Sequence, residues 1–304
     1  MIPERFKARG LPAPMKYAVL GAAGQLGRDL CPRLPGDVIA LTRERVDLNR
    51  PESLGALDEV RPDVVINCAA YNFVDRAESE PEAAFGVNAW GVRALAAACA
   101  RLDCILVHFS SDYVFGLDEK RRTPYSEADA PGPLSVYGLS KLAGEYLVRA
   151  LCPRHYVIRT CGLFGVWGSG GKGGNFVETM VKLAGQGKPL RVVADQQCTP
   201  SFTADVAAAA VALIQTGRFG LYHLTNAGSC SWHEFARTIF DLEKTSAHLV
   251  GITSREYGAA ARRPPYSVLD TAAYDALGLS PMRPWREALS AYLKERRCKP
   301  PANT

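Results

Sequence analysis

From Lys16 onward, short apolar runs alternate with stretches whose apolar residues recur at helical spacing. YAVLGA reads as a first strand, and GQLGRDL as the start of a helix that Pro32 should kink or end. VIALTR is a second strand, followed by a helix around PESLGALDEV. VVINCAA is a buried strand, and EPEAAFGVNAWGVRALAAACARL is a long helical stretch with Pro81 near its first turn. CILVHFSSDYVFG runs from a strand into a loop, SVYGLSKLAGE lies on a helix, and YVIRTCGLFG is the next strand. Apolar strands separated by helices predict a parallel sheet with helices on both faces.

After Gly165 the order loosens. VWGSGGKGGN is a glycine-rich loop, helices around residues 176–184 and 204–214 surround the strand LRVVAD, and LYHLTN reads as a further strand. WHEFARTIF and PWREALSAYLKER read as helices. The predicted fold class is α/β, a Rossmann-like doubly wound parallel sheet with a smaller C-terminal substrate lobe. In this division residues 1–14 are a poorly ordered tail and residues 15–165 the dinucleotide-binding domain. Later strands from about 190–228 join that domain, and residues 166–304 form an interleaved substrate lobe.

Composition narrows the class. The 304 residues are 47% hydrophobic and 22% charged, as in ordinary globular chains. The net charge of +5 is spread among interspersed acids and bases, which argues against a nucleic-acid footprint. Nine cysteines, an odd number without a C-x-x-C, read as free thiols in a reducing, cytoplasmic compartment. No apolar run is expected to span a membrane, and the N-terminus lacks the apolar stretch of a secretory signal. The five histidines show no metal-ligand spacing, and His108 reads as a packed strand residue. The acidic run from Asp75 to Glu82 reads as a loop and helix start rather than a metal site, so no metal ligand is assigned.

Candidate chemistry begins at GAAGQLG, which places Gly21, Gly24 and Gly27 between the first strand and the first helix, with Gln25 and Leu26 among them. Glycines there allow a sharp turn and close approach of a pyrophosphate to the unpaired N–H groups of the helix start. An acidic residue at the end of the second strand would grip the ribose hydroxyl of NAD. This chain has Thr42 and Arg43 instead, and an arginine there can accept the 2′-phosphate of NADPH. NADPH is therefore the expected cofactor, with NADH as the alternative. Asp47 and Leu48 are placed to flank the adenine.

Tyr137 and Lys141, four residues apart, share one face of a helix. A ketone reductase needs a proton donor beside the oxygen of the reduced carbonyl, and a nearby ammonium lowers a tyrosine pKa by favouring the phenolate. The bland alternative is a tyrosine packed on a surface lysine. Ser110 and Ser111 stand at the end of the fourth predicted strand, where parallel sheets place ligand chemistry. A hydroxyl there can bond the substrate oxygen.

These blocks in this order resemble the extended short-chain dehydrogenase/reductases and, more closely, the dTDP-4-dehydrorhamnose reductase family. The resemblance runs from about Lys16 almost to the C-terminus, through GAAGQLG, RPDVVINCAAYNFVDRAESEPE, SSDYVFG, SVYGLSKLAGE, NFVETM and RRPPYSVLD. It implies an NAD(P)H-dependent reduction of the C4 keto group of a nucleotide-linked 6-deoxy sugar, dTDP-4-dehydro-L-rhamnose first. It implies that Ser111, Tyr137 and Lys141 are catalytic, that Asn67, Ala69 and Ala70 line the cofactor, and that Asn88 supports a polar network under Lys141. Asp112, Tyr113 and Val114 would face the sugar nucleotide, and Asn175 and Arg263 its diphosphate. Lys172 in the glycine-rich loop would lie near phosphate. A homodimer is compatible, and some relatives bind magnesium through interface carboxylates.

The chain departs from the family in RTCGLFG, where Cys161 and Gly162 replace a serine and a tryptophan that packs on the sugar. The expectation is a roomier pocket, with Phe164 or Trp167 filling the space. Two alternatives stay open: a reductase or epimerase of another sugar nucleotide, and a cofactor-binding regulatory subunit like that of methionine adenosyltransferase.

Overall fold

The structure is a computed structural model that describes residues 14–168 and 174–298. The expected tail, apart from Pro14, and Lys172 lie outside the described residues. Five strands of one sheet come early: β1 (Met15–Leu20), β2 (Gly36–Leu41), β3 (Val64–Asn67), β4 (Ile105–Ser111) and β5 (His155–Thr160). With Gly220–His223 they form a six-stranded sheet in the order Gly220–His223, β5, β4, β3, β1, β2. Every neighbouring pair is parallel. The winding direction reverses between β1 and β3, and ligands of such sheets bind beyond the carboxyl ends of the strands at that reversal.

The apolar runs form strands because both of their faces are covered. Side chains alternate along β1. Tyr17 and Val19 pack with Leu26 and Leu30 of the helix Gln25–Leu30 and with Val206 and Leu213 of the helix Thr203–Gln215. Ala18 and Leu20 pack on the other face with Leu57, Val92, Leu95 and Val148. The stretch Pro81–Arg101 is, against expectation, long and apolar enough by length and composition to cross a membrane, but half of it is buried in the fold. It is apolar because Val92, Leu95, Ala96 and Cys99 cover the sheet. A π-helical turn over Gly86–Gly91 interrupts it.

The lobe has its own core, in which Phe164, Val177, Phe202, Phe235, Trp285, Leu289 and Tyr292 meet. One expectation needs correcting here. The strand Leu190–Val193 does not join the central sheet; it pairs in parallel with Leu249–Ile252. Gly220–His223 already covers the edge of β5, and Leu190 and Val192 bury their side chains in the lobe core.

Candidate active site

The helix Val136–Leu151 carries Tyr137 and Lys141. Ser135 starts it by accepting the N–H of Gly138 at 3.1 Å. Asn88, in the π-helical turn, accepts the N–H of Tyr71 at 2.9 Å and donates to the Tyr71 carbonyl and to Ser140 Oγ, each at 3.0 Å. These bonds tie the loop after β3 to the helix beside Lys141; Asn88 reaches Ser140 rather than the lysine. The Lys141 ammonium donates to the carbonyl oxygen of Phe109 at 2.7 Å. Burial pushes the Lys141 pKa down to about 8.

Ser111, the last residue of β4, accepts the N–H of Tyr113 at 3.1 Å and donates to Asp112 Oδ1 at 3.1 Å. Asp112 is buried and also accepts from Cys161 Sγ at 3.1 Å and Ser267 Oγ at 2.6 Å. Burial raises its carboxyl pKa despite these three donors. Tyr113 meets the Tyr137 ring edge-on, with centroids 5.8 Å apart. Burial pushes the Tyr137 hydroxyl up to about 12, while a hydrogen bond with Ser111 acts the other way. The Lys141 ammonium, on the same helix face, is held by the Phe109 carbonyl.

Ser111, Tyr137 and Lys141 line one cavity of about 730 Å³, within the usual range for small-molecule sites. Gly24, Gln25, Leu26, Gly27 and Ala70 line one part of it. Asp112, Tyr113, Asn175 and Arg263 also reach it. Gly21 shapes the loop from outside the lining. Its φ is +70°, and a Cβ there would lie 2.8 Å from the backbone nitrogen of Ala69, so Ala69 is packed against the turn.

Several expected ligand residues also have structural partners. Asn67 is buried; its Oδ1 accepts the Ala69 N–H at 3.1 Å and its amide nitrogen lies 3.1 Å from His108 Nδ1, so it braces the loop after β3. The Leu48 side chain is buried in the core, packed with Val92 and Leu95. Val114 is likewise buried, beside Phe115 and Tyr125. Asn175 caps the helix Phe176–Ala184 by accepting the Glu178 N–H at 3.1 Å, and its amide donates to the Gly165 carbonyl at 2.9 Å. Polar side chains at such turns satisfy the backbone first.

Charged candidates remain placed for ligands but are paired. Arg43, 80% exposed, lies beyond β2 with its Nε 3.2 Å from Asp47 Oδ2. Arg263 makes two hydrogen bonds to Asp75, at 3.0 and 2.8 Å. Two more carboxylates of the acidic run are engaged: Glu80 with Arg76 and Tyr71, Glu78 with the Val136 N–H.

Neither Phe164 nor Trp167 fills the space beside Gly162. Phe164 is in the lobe core, and Trp167 donates to Asp29 at 3.0 Å. Trp232, unassigned from the sequence, occupies it. The S-x-x-E pattern of Ser231 and Glu234 marks Trp232 as the first residue of a helix, but nothing local ties that helix start to Gly162. Ser267 was also missed.

A parallel doubly wound sheet, a glycine turn at the reversal of winding and a serine, tyrosine and lysine around one cavity define a Rossmann-type oxidoreductase of the short-chain dehydrogenase/reductase class. The chain belongs to the family described as RmlD substrate binding domain, which it matches over residues 15–298. It is 40% identical over 285 residues to the spore coat polysaccharide biosynthesis protein SpsK of Bacillus subtilis, covering 92% of this chain and 98% of that protein. It is 40% identical over 279 residues to the dTDP-4-dehydrorhamnose reductase of Mycolicibacterium smegmatis, covering 90% and 84%. The crystal structure of dTDP-4-dehydrorhamnose reductase from Bacillus anthracis in complex with NADP superposes with a TM-score of 0.87 at 36% identity, covering 92% of this chain and 99% of that one.

Proposed function

We propose that the protein reduces the C4 keto group of a nucleotide-linked 6-deoxy sugar with NADPH, and that dTDP-4-dehydro-L-rhamnose is its substrate. The observation that carries this reading is the convergence of Ser111, Tyr137 and Lys141 on the cavity that also contains Gly24 to Gly27. The named activity of the relatives and the NADP complex of the Bacillus anthracis structure point the same way.

The residues present fit the cofactor. The glycine turn leaves residues of the helix start lining the cavity, and an exposed Arg43 guanidinium just beyond β2 supports a preference for the 2′-phosphate of NADPH. When bound, the nicotinamide supplies the hydride. Gly24, Gln25, Leu26, Gly27 and Ala70 would hold the cofactor, the glycine turn at its pyrophosphate, with Arg43 and Asp47 at the adenosine end.

The side chains then divide the proton work. Tyr137, with its pKa near 12, is protonated at neutral pH and can give its proton to the oxygen on which charge develops. Ser111 can turn its hydroxyl from Asp112 toward that oxygen, since Asp112 keeps Cys161 and Ser267 as donors. Lys141, charged below about pH 8, favours the phenolate that remains. Arg263 and Tyr113 line the cavity on the substrate side. A subunit that bound cofactor without using it would have no need of all three side chains at one cavity.

The test follows NADPH absorbance on addition of dTDP-4-dehydro-L-rhamnose, with Tyr137→Phe alongside. Turnover by the wild type and a loss of roughly a hundredfold or more in the variant are expected. Turnover that survives Tyr137→Phe would remove the tyrosine from its role; no turnover with NADPH still bound would remove the sugar.

A further inference from the structure

Gly162 has φ +53°, and a Cβ built on it would lie 3.2 Å from Pro200 Cα and 3.3 Å from Trp232 Cη2. The far edge of the indole therefore already rests on the Gly162 backbone. Trp232 opens the helix Trp232–Glu243, which Ser231 caps at 3.0 Å, so the ring is carried on a fixed element. Its neighbour is Phe176, with ring centroids 4.8 Å apart. Both rings line the cavity.

This apolar wall stands close to the reacting end of the site. Thr160 is the register partner of Ser111, and Gly162 lies two residues beyond it. Cys161, between them, donates to the same carboxylate as Ser111. One side of the sugar end is thus polar, with Ser111, Tyr137 and Asp112, and the other is aromatic.

We propose that Trp232, seated on Gly162, is a specificity-determining wall of the sugar subsite, and that it selects sugars whose C6 is a methyl group over those with a C6 hydroxyl. A methyl group gains by covering the indole, whereas a hydroxyl pressed against it loses its water without a new partner. Glycine at 162 and tryptophan at 232 are a coupled pair, because a side chain at 162 has to displace the ring. The inference rests on the reading of the cavity as a nucleotide-sugar site.

The test is calorimetric binding of dTDP, dTDP-6-deoxy-D-glucose and dTDP-D-glucose, the last two differing only at C6. The wild type is expected to favour the 6-deoxy ligand by roughly tenfold. In Trp232→Ala that preference falls to about twofold or less, while affinity for dTDP alone is unchanged and reports intact folding. Trp232→Phe keeps a ring and most of the preference. Gly162→Ala weakens the 6-deoxy ligand in the wild type and has less effect on it in the Trp232→Ala background. A wild-type preference that survives Trp232→Ala would overturn the wall. A wild type that binds either sugar nucleotide no more tightly than dTDP would overturn the nucleotide-sugar reading and the wall with it.

Discussion

Lys141 and Phe109 are joined by a hydrogen bond of 2.7 Å from the side-chain ammonium to the backbone oxygen. The bond ties the helix bearing Tyr137 to the strand that ends at Ser111, two residues beyond Phe109. It fixes the ammonium on the helix that carries Tyr137. Burial keeps Tyr137 a protonated donor at neutral pH, and the ammonium remains on its helix face to favour the phenolate once the proton is given.

A second, ionic tie holds the same helix to the neighbouring strand β5. Arg159 of β5 makes two hydrogen bonds to Glu145, at 2.9 and 2.7 Å, with side chains 2% and 0% exposed. Removing one partner leaves the other charge buried and uncompensated, which costs about 3–5 kcal/mol. Glu145→Gln and Arg159→Met should each lower unfolding free energy by that order in urea titrations. A change under about 1 kcal/mol would show that water or rearrangement replaces the lost partner.

Arg43 should decide between cofactors. Its guanidinium is exposed and paired, among the described residues, with Asp47 at the surface, a pair worth little by itself. A charge-assisted bond to a 2′-phosphate is worth more, so Arg43→Ala should reduce the NADPH over NADH preference in kcat/KM by roughly ten- to a hundredfold. NADH turnover should be unaffected. An unchanged ratio would assign the phosphate to another group.

Asp112 works through Ser111. Asp112→Asn places an amide N–H₂ among three donors from Ser111, Cys161 and Ser267. At least one of them then loses its acceptor, at a cost of about 1–3 kcal/mol. The expected result is lower stability together with lower kcat and little change in NADPH affinity. Equal loss of kcat and NADPH binding would mean that the cavity as a whole had collapsed.

The residues that act through local chain geometry were legible in the sequence. Strands such as Val64–Asn67 are buried on both faces and read as continuous apolar runs. Tyr137 and Lys141 share a helix face by spacing alone, and Ser111 is marked by its place at a strand end. The rest depends on partners far along the chain. Trp232 meets Gly162 across 70 positions, and Leu190–Val193 pairs with a strand nearly sixty residues later. Asn67 and Asn175 also bond nearby backbone groups, a structural use that a motif alone does not reveal.

Lys141 also makes stability and activity run in opposite directions with pH. Its ordinary pKa is 10.5 and burial brings it to about 8 in the folded protein. Below about pH 8 both states are charged and the folded state carries the full penalty of burying an ammonium. Between about 8 and 10.5 the unfolded chain binds more protons than the folded one, so stability rises with pH; above that window both forms are neutral. The gain is on the order of 3 kcal/mol. Activity that needs the ammonium falls through about pH 8 as the same proton is lost. Urea unfolding of the wild type and Lys141→Met across this window should show a rising difference in stability, while wild-type kcat/KM declines. If activity instead holds level well above pH 8 while the stability difference still rises, the ammonium is a structural tie to Phe109 and the phenolate is stabilised by something else.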